Sequence, residues 1–416
     1  MEYGFWMLVL AAAGALFMAF NNGANDVANS FASAVGAKAI SMRQAVVIAG
    51  VMNLLGAVLI GGNVSAKLIT GVLNPTAFGD PKAYVVGMFA VLVAAGSFVF
   101  ISTLTKIPVS SSHSIVGSLV GVSIAAGGLD TVNWPKLYGV VASWFVSPLL
   151  AAGMSLGLLV LIRRFILQNR EQVMQRLRFY LPFILGLTFA VFVLILMKGS
   201  ILKQYRPRGV GGVLVFMAVL IPSATLVSAG LVRRFTRKME ETMESAERVF
   251  RRLQVGTSSY VAFAHGANDV ANSISPLFAV YLVYKSSGLP TKELVDAVDV
   301  PLWILVLGGV GIAVGIGTLG HKVIETLSGK ITKLDNFKGF SVDFSAATTV
   351  VTASMLGLPV SSTHAATGAI IGAGLGDGKG LQWNVLGKIF AAWVITVPAA
   401  GGMTIAFYYM LRGLLG

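Results

Sequence analysis

NNGANDVANS at residues 21–30 returns as AHGANDVANS at 264–273, and that recurrence decides the architecture. Two further matches follow in the same order. PVSSSHSIVGSLVG at 108–121 returns as PVSSTHAATGAIIG at 359–372, and Trp134 and Trp144 return as Trp383 and Trp393. The offsets are 243, 251 and 249, so spacing is kept as well as order. The chain is an internal duplication. One half covers 1–162, the other 256–416, and 163–255 is a two-helix insert.

The repeats are set in apolar sequence. Of 416 residues, 56% are hydrophobic and 12% charged, there is no Cys, and the mean hydropathy is +0.80. A soluble domain carries roughly twice that charged fraction. The balance excludes a water-soluble enzyme, a disordered tail, a disulfide scaffold and a Cys-ligated metal site. Twelve apolar stretches run from 3–31 to 384–412, and a crossing needs about 20 residues. The stretches 341–357 and 359–376 are short and barely separated, so they read as a re-entrant hairpin whose tip is buried in protein. In the first half 83–103 and 109–128 take that place. The N-terminus is apolar but opens with Glu2 and lacks a basic flank, so it reads as a mature first helix and not as a signal peptide.

Each half then has three ordinary spans plus a hairpin, and the insert adds two crossings, so an odd number separates equivalent points of the halves. The second half is inverted relative to the first. The expected fold is an all-α polytopic membrane protein of about 12 hydrophobic helical elements, in two inverted-topology repeats, each with a broken helix and a re-entrant hairpin. Such repeats are a transporter signature, with the substrate held where they meet.

The net charge of +14 fits this topology. With the N-terminus outside, 20 of the 31 Lys and Arg fall in inner segments and ten in outer ones, which is the positive-inside bias and no sign of nucleic-acid binding. Both termini are expected outside a plasma (inner) membrane. The segment RRFTRKMEETMESAERVFRR at 233–252 reads as a solvated inner helix beside anionic lipid.

On a helix, Asn22, Asn25, Asp26 and Asn29 share one face, and His265, Asn268, Asp269 and Asn272 repeat the stripe. Gly23, Ala24 and Ala28, with Gly266, Ala267 and Ala271, allow close approach or local unwinding. A mid-membrane Asp costs roughly 2.5 to 3.5 kcal/mol, so two acids inside identical motifs point to function. In the second motif, Pro followed by Ser110, Ser111 and Ser112, or by Ser361, Ser362 and Thr363, precedes a helical run. That is a helix start inside the membrane, which aims unpaired N–H groups and about +0.5 charge at an oxyanion. The anion and two carboxylates would total −3 to −4 against about +1 from two helix ends. At least two hard cations are therefore expected to bind with the anion, in a symport.

Other residues leave alternatives open. His113 and His364 follow the hydroxyl triplets and could donate to an anion or face a neighbouring helix. His265 stands where the first half has Asn22, a break in symmetry that weakens a metal-ligand role. Asp343, at the inner entrance of the second hairpin, could hold a cation in passage or be an interfacial charge, the latter being preferred. Lys106, at the first hairpin tip, could supply positive charge near the anion or snorkel.

The paired GANDVAN motifs with PVSSSH and PVSSTH resemble the inorganic phosphate transporter family, the sodium or proton phosphate symporters, over nearly the whole chain. The resemblance implies inorganic phosphate as the anion, a homodimer in the lipid bilayer, and Asp26 and Asp269 as essential acids. Some relatives carry Glu where this chain has Asn53. The phosphate site is expected at Ser110, Ser111, Ser112, Ser361, Ser362, Thr363, Asn25 and Asn268. Sodium is expected at Asp26, Asp269, Asn22, Asn29, Asn272 and Asp343, with His113, His364, Lys106 and Asn53 as further candidates. The expected activity is sodium-coupled phosphate uptake by alternating access, with no cofactor beyond the co-transported sodium. The rivals are a proton-coupled phosphate, metal-phosphate or sulfate symporter and an anion channel. No placed third partner completes a hydrolase triad, so no enzyme is expected.

Overall fold

A computed structural model describes residues 2–105, 109–197, 207–327, 335–377 and 381–415. Lys106 and Pro108 lie outside them. The first half holds α1 (Glu2–Gly36), α2 (Met42–Ile60), α3 (Gly62–Val72), α4 (Pro81–Thr105), α5 (Ser111–Gly127) and α6 (Trp134–Leu161). Next come α7 (Val173–Leu196), α8 (Gly209–Thr236) and α9 (Met243–Ser286). The chain closes with α10 (Lys292–Ala297), α11 (Leu302–Gly315), α12 (His321–Leu327), α13 (Asn336–Leu356), α14 (Ser362–Asp377) and α15 (Trp383–Leu415). All twelve apolar stretches are helices; α3, α10 and α12 are additional short ones. Among the described residues, α1, α2, α4, α6, α7, α8, α11 with its continuation, and α15 are long and apolar enough to cross a bilayer. The polar residues of α9 and α13 keep those helices out of that set, and α14, at 16 residues, is too short for it.

The hairpins are re-entrant, and they enter from opposite ends. α13 begins where Asn336 donates to Glu247 Oε1 at 3.2 Å and Phe337 packs on Phe250. α14 returns to that end, where Arg163 donates to the Gly376 carbonyl at 2.6 Å. The Arg178–Glu241 ion pair, 2.7 Å, joins the basic segments there. At the other end Leu73 bridges Val132, Tyr409 donates to the Ala125 carbonyl, and Gly4, Pro81 and Tyr284 line one cavity. α4 leaves from this end and α5 comes back to it. Both termini lie at this end, away from the basic segments.

Glycines carry the contacts between the halves. A Cβ on Gly117 or Gly121 of α5 would overlap the Val397 and Gly401 carbonyls of α15; one on Gly368 or Gly372 of α14 would overlap those of Pro148 and Ala152 of α6. Gly23 of α1 meets the Ile312 carbonyl of α11, and Gly266 of α9 meets that of Asn53 in α2. Every such contact has its partner with the halves exchanged, which requires a two-fold relation between them. It also pairs α2 with α11, a correspondence that no shared sequence motif reveals.

Of the two uses open to the small residues of the motifs, close approach or local unwinding, the helices take the first. The motif helices are not broken: α1 runs 35 residues and α9 runs 44 residues straight through GANDVAN. The small residues are used for close approach, and hydroxyls and an imidazole reach the acids without freeing backbone amides. The breaks fall between the hairpin arms, where Gly357 takes φ 66° and α14 restarts after Ser361.

Gly23→Ala and Gly266→Ala are therefore expected to lower stability by about 1–3 kcal/mol, as overpacking does. Gly153→Ala, whose Cβ meets open space, is expected to hold or gain stability. Thermal unfolding of the three variants in detergent checks this.

Candidate functional site

Four helix segments converge where the hairpin tips meet α1 and α9. Ser110 caps α5, its Oγ accepting from the His113 amide at 3.2 Å. Ser361 does the same for His364, also at 3.2 Å. The first intrahelical bonds run from Ser114 to Ser110 and from Ala365 to Ser361, so the amides of Ser111, Ser112, Ser362 and Thr363 come before either ladder begins. Two helix N-termini thus face one point, with their positive ends together.

The acids stand at that point, 1% (Asp26) and 0% (Asp269) exposed. Asp26 accepts from Ser111 at 2.8 Å and from Asn29 and Thr363 at 3.5 Å. Asp269 accepts from Asn272 at 2.7 Å, Ser112 at 3.2 Å, Asn268 at 3.4 Å and Ser111 at 3.5 Å, and Ser362 lies within its reach. Ser111 serves Asp26 of its own half, but other bonds cross between halves: Ser112 serves Asp269, and its counterpart Thr363 serves Asp26. Asn29 and Asn272 continue the crossing, donating to Thr363 at 2.9 Å and Ser112 at 3.1 Å.

The remaining asparagines hold the helices together. Asn22 donates to the Asp269 carbonyl at 2.8 Å. Asn25 donates to Thr103 of α4 at 3.0 Å, and Asn268 accepts from Ser354 of α13 at 3.3 Å, the equivalent residue. Asn268 also donates to the Val360 carbonyl at 2.7 Å, which Ser112 shares at 3.0 Å. Asn25 and Asn268 therefore tie each motif helix to its own hairpin. The Asn22 and Asn272 side-chain oxygens are buried with no donor among the described residues. Buried acceptors are rarely left so, and a cation is the partner they suit.

His265, set aside on sequence grounds, sits at the centre. Its Nε2 lies 3.4 Å from Asp269 and 3.6 Å from Asp26. Ligand atoms of the three residues all fall within 4.8 Å of one another. Asn53 donates to the Ala49 carbonyl, which turns its oxygen to His265 Nδ1 at 2.5 Å. Asn53 thus orients the imidazole and does not itself touch the acids. The signal was in the stripe, since His265 and Asp269 are i and i+4 on one face.

His113 and His364 face neighbouring helices. Their Nδ1 atoms lie 3.1 Å and 3.0 Å from the Trp393 and Trp144 carbonyls, which can only accept, so each ring spends its Nδ1 hydrogen there. Those bonds pin each hairpin to the other half, while the rings of His113 and His364 lie against Trp144 and Trp393 of their own halves, with centroids 3.8 Å and 3.5 Å apart. Lys106 lies outside the described residues.

The interfacial reading of Asp343 is also corrected. It is 1% exposed and accepts from Ser258 at 2.5 Å and Ser33 at 2.9 Å. It is a third buried acid, between the central site and the basic end, because Ser33 of α1 and Ser258 of α9 close over it.

Two carboxylates with oxygens within 4.8 Å of one another repel, when both are ionised, by roughly 3 kcal/mol or more at an effective dielectric of 20. The site therefore needs added positive charge to accept an anion at all. That combination, cation ligands built into an anion cradle, is what the arrangement can do chemically.

The phosphate transporter family model matches residues 22–404. A Pyrococcus furiosus protein named as a phosphate permease is 43% identical over 406 residues, 96% of this chain and 95% of its own. A Haemophilus influenzae protein of that name is 36% identical over 422 residues, 99% of this chain and 98% of its own. A solved structure described as the sodium-dependent phosphate transporter superposes with a TM-score of 0.89 at 37% identity, covering 98% of this chain and 99% of that one.

If the carboxylates bind cations, sodium should raise the thermal stability of the purified protein, by about 2.7 kcal/mol at one hundred times the Kd. Asp269→Asn should raise the sodium-free melting temperature by removing repulsion and abolish the sodium increment. An unchanged increment in the variant would contradict the assignment.

Proposed function

The chain belongs to the phosphate transporter family, and we propose that it takes up inorganic phosphate by sodium-coupled symport with alternating access. The observation that carries this reading is the enclosure of two carboxylates between two helix N-termini. An oxyanion is cradled by Ser111, Ser112, Ser362 and Thr363 and the amides around them, while Ser110 and Ser361 hold the helix starts in place. Sodium sits against Asp26 and Asp269, with the free oxygens of Asn22 and Asn272 and with Asn29 completing its shell. With the anion at −1 to −2, the acids at −2 and the helix ends at about +1, two sodium ions bring the loaded site near neutrality. Neither partner loads well alone, which is the coupling.

Hard-cation chemistry suits this donor set, since nearly every ligand atom is oxygen. Asp343, Ser33 and Ser258 form a further oxygen cluster on the path to the basic end, and a sodium ion entering or leaving by that path is held there. Movement of the two hairpins, which reach the centre from opposite ends, exposes it to one end at a time. The transport repeats are 1–162 and 256–416, with 163–255 as the insert. The basic end faces the cytoplasm and both termini lie outside a plasma (inner) membrane, in a homodimer. His265 between the acids favours a second reading, in which a proton replaces one sodium ion.

Radiolabelled phosphate uptake into proteoliposomes, with sodium and proton gradients imposed separately, tests both. Uptake is expected to follow the sodium gradient with a sigmoidal sodium dependence. Asp26→Asn and Asp269→Asn each abolish it while the protein still inserts, and Asp343→Asn slows it without abolishing it. Uptake driven by a proton gradient alone would replace sodium with the second reading, and sodium-driven uptake retained by Asp26→Asn would remove the central claim.

A further inference from the structure

An apolar groove of about 810 Å³ separates the two-helix insert from the transport body. Phe189 of α7, Val227 and Leu231 of α8, and Gly256 and Tyr260 of α9 are among its walls. α8 is the least covered of the spanning helices, with 6% of its most apolar stretch buried. The groove follows α8 from Leu220 to Leu231, roughly 16 Å at 1.5 Å per residue. That is about the depth of one leaflet in a hydrocarbon core roughly 30 Å thick.

One charged residue lines it, Arg252. The guanidinium lies over the Phe235 ring, 4.2 Å from its centroid, and has no carboxylate partner among the described residues. It stands at the basic end, beside Arg233 and Arg234 in the last turn of α8. The neighbouring Arg178 and Arg248 are already paired with Glu241 and Glu244. The groove therefore has a leaflet-long apolar slot with one unneutralised cation at its mouth, the pattern of a single-chain anchor under an anionic head group.

We propose that this groove is a resident site for one anionic phospholipid, its acyl chain lying between α8 and α9 and its phosphodiester paired with Arg252. The lipid fills the space between the insert and α9 and α13, which carry Asp269 and Asp343. It is a wedge between the part of the protein that touches the bilayer most and the helices that hold the ions.

Native mass spectrometry of the delipidated full-length protein, titrated with phosphatidylglycerol or phosphatidylcholine, tests this. The wild type is expected to retain one phosphatidylglycerol per chain in preference to phosphatidylcholine. Arg252→Ala should weaken that retention about fivefold, the worth of one basic residue at an anionic surface, and Arg252→Lys should restore most of it. Gly256→Leu, whose added side chain enters open space in the groove, should displace either lipid while the protein stays folded. Equal retention of both lipids by the wild type, or undiminished retention in Arg252→Ala, overturns the proposal. So does a Gly256→Leu protein that keeps its lipid but changes oligomeric state, since the groove would then be covered by a second copy. Excess inorganic phosphate should leave retention unchanged, and competition by it would assign Arg252 to the free anion.

Discussion

The repulsion between Asp26 and Asp269 organises the molecule. Two carboxylates held this close, away from water, are not stable by themselves. Each helix that reaches the centre brings something to offset them. α5 and α14 bring hydroxyls and positive ends, α9 brings His265, and α1 and α9 bring asparagine amides. The offset is incomplete by design of the residue types, since buried oxygens on Asn22 and Asn272 still lack donors. A site that is complete only when loaded is one whose stability depends on its cargo, and this links binding to any change of shape.

Holding four helices at one point requires close backbone approach, and the glycines of each half supply it. The contacts of Gly117 and Gly121 on α15 mirror those of Gly368 and Gly372 on α6. The second arm of each hairpin, α5 or α14, therefore packs chiefly on the half to which it does not belong. The histidines strengthen that exchange, because His113 is fixed by the Trp393 carbonyl and His364 by that of Trp144. A hairpin that moves must carry a helix of the other half with it or break these contacts, so the two halves are mechanically coupled at the centre.

Much of this was legible in the sequence because duplication turns weak signals into strong ones. A single Asp in an apolar run is ambiguous, whereas two in GANDVAN are not. Hydropathy located all twelve elements, and the short pair at 341–376 announced its hairpin. What was missed depends on contacts between segments. The motif helices stay whole because Ser111, Ser112 and Thr363 arrive from elsewhere to satisfy the acids, which no local reading of small residues could anticipate. From its place near a loop Asp343 reads as interfacial, yet Ser33 and Ser258, hundreds of residues apart, bury it. His265 breaks the symmetry of the paired stripes, and that break marks the imidazole that stands between the acids.

The breaks in symmetry share a direction. Applying the repeat offsets, Asp343 corresponds to Leu92, Ser258 to Ala15 and Ser33 to Pro276. All three counterparts are apolar, and Leu92 and Ala15 are fully buried. From the centre toward the basic end stand a carboxylate and two hydroxyls; at the corresponding positions toward the other end stands close-packed hydrocarbon. A desolvated ion is held far better by the first surroundings than by the second. A symmetric centre can bind its cargo equally from either side, so any difference between loading and release must come from the flanks. In this chain the flanks differ at these three positions, and they make the basic end the more polar side of the centre.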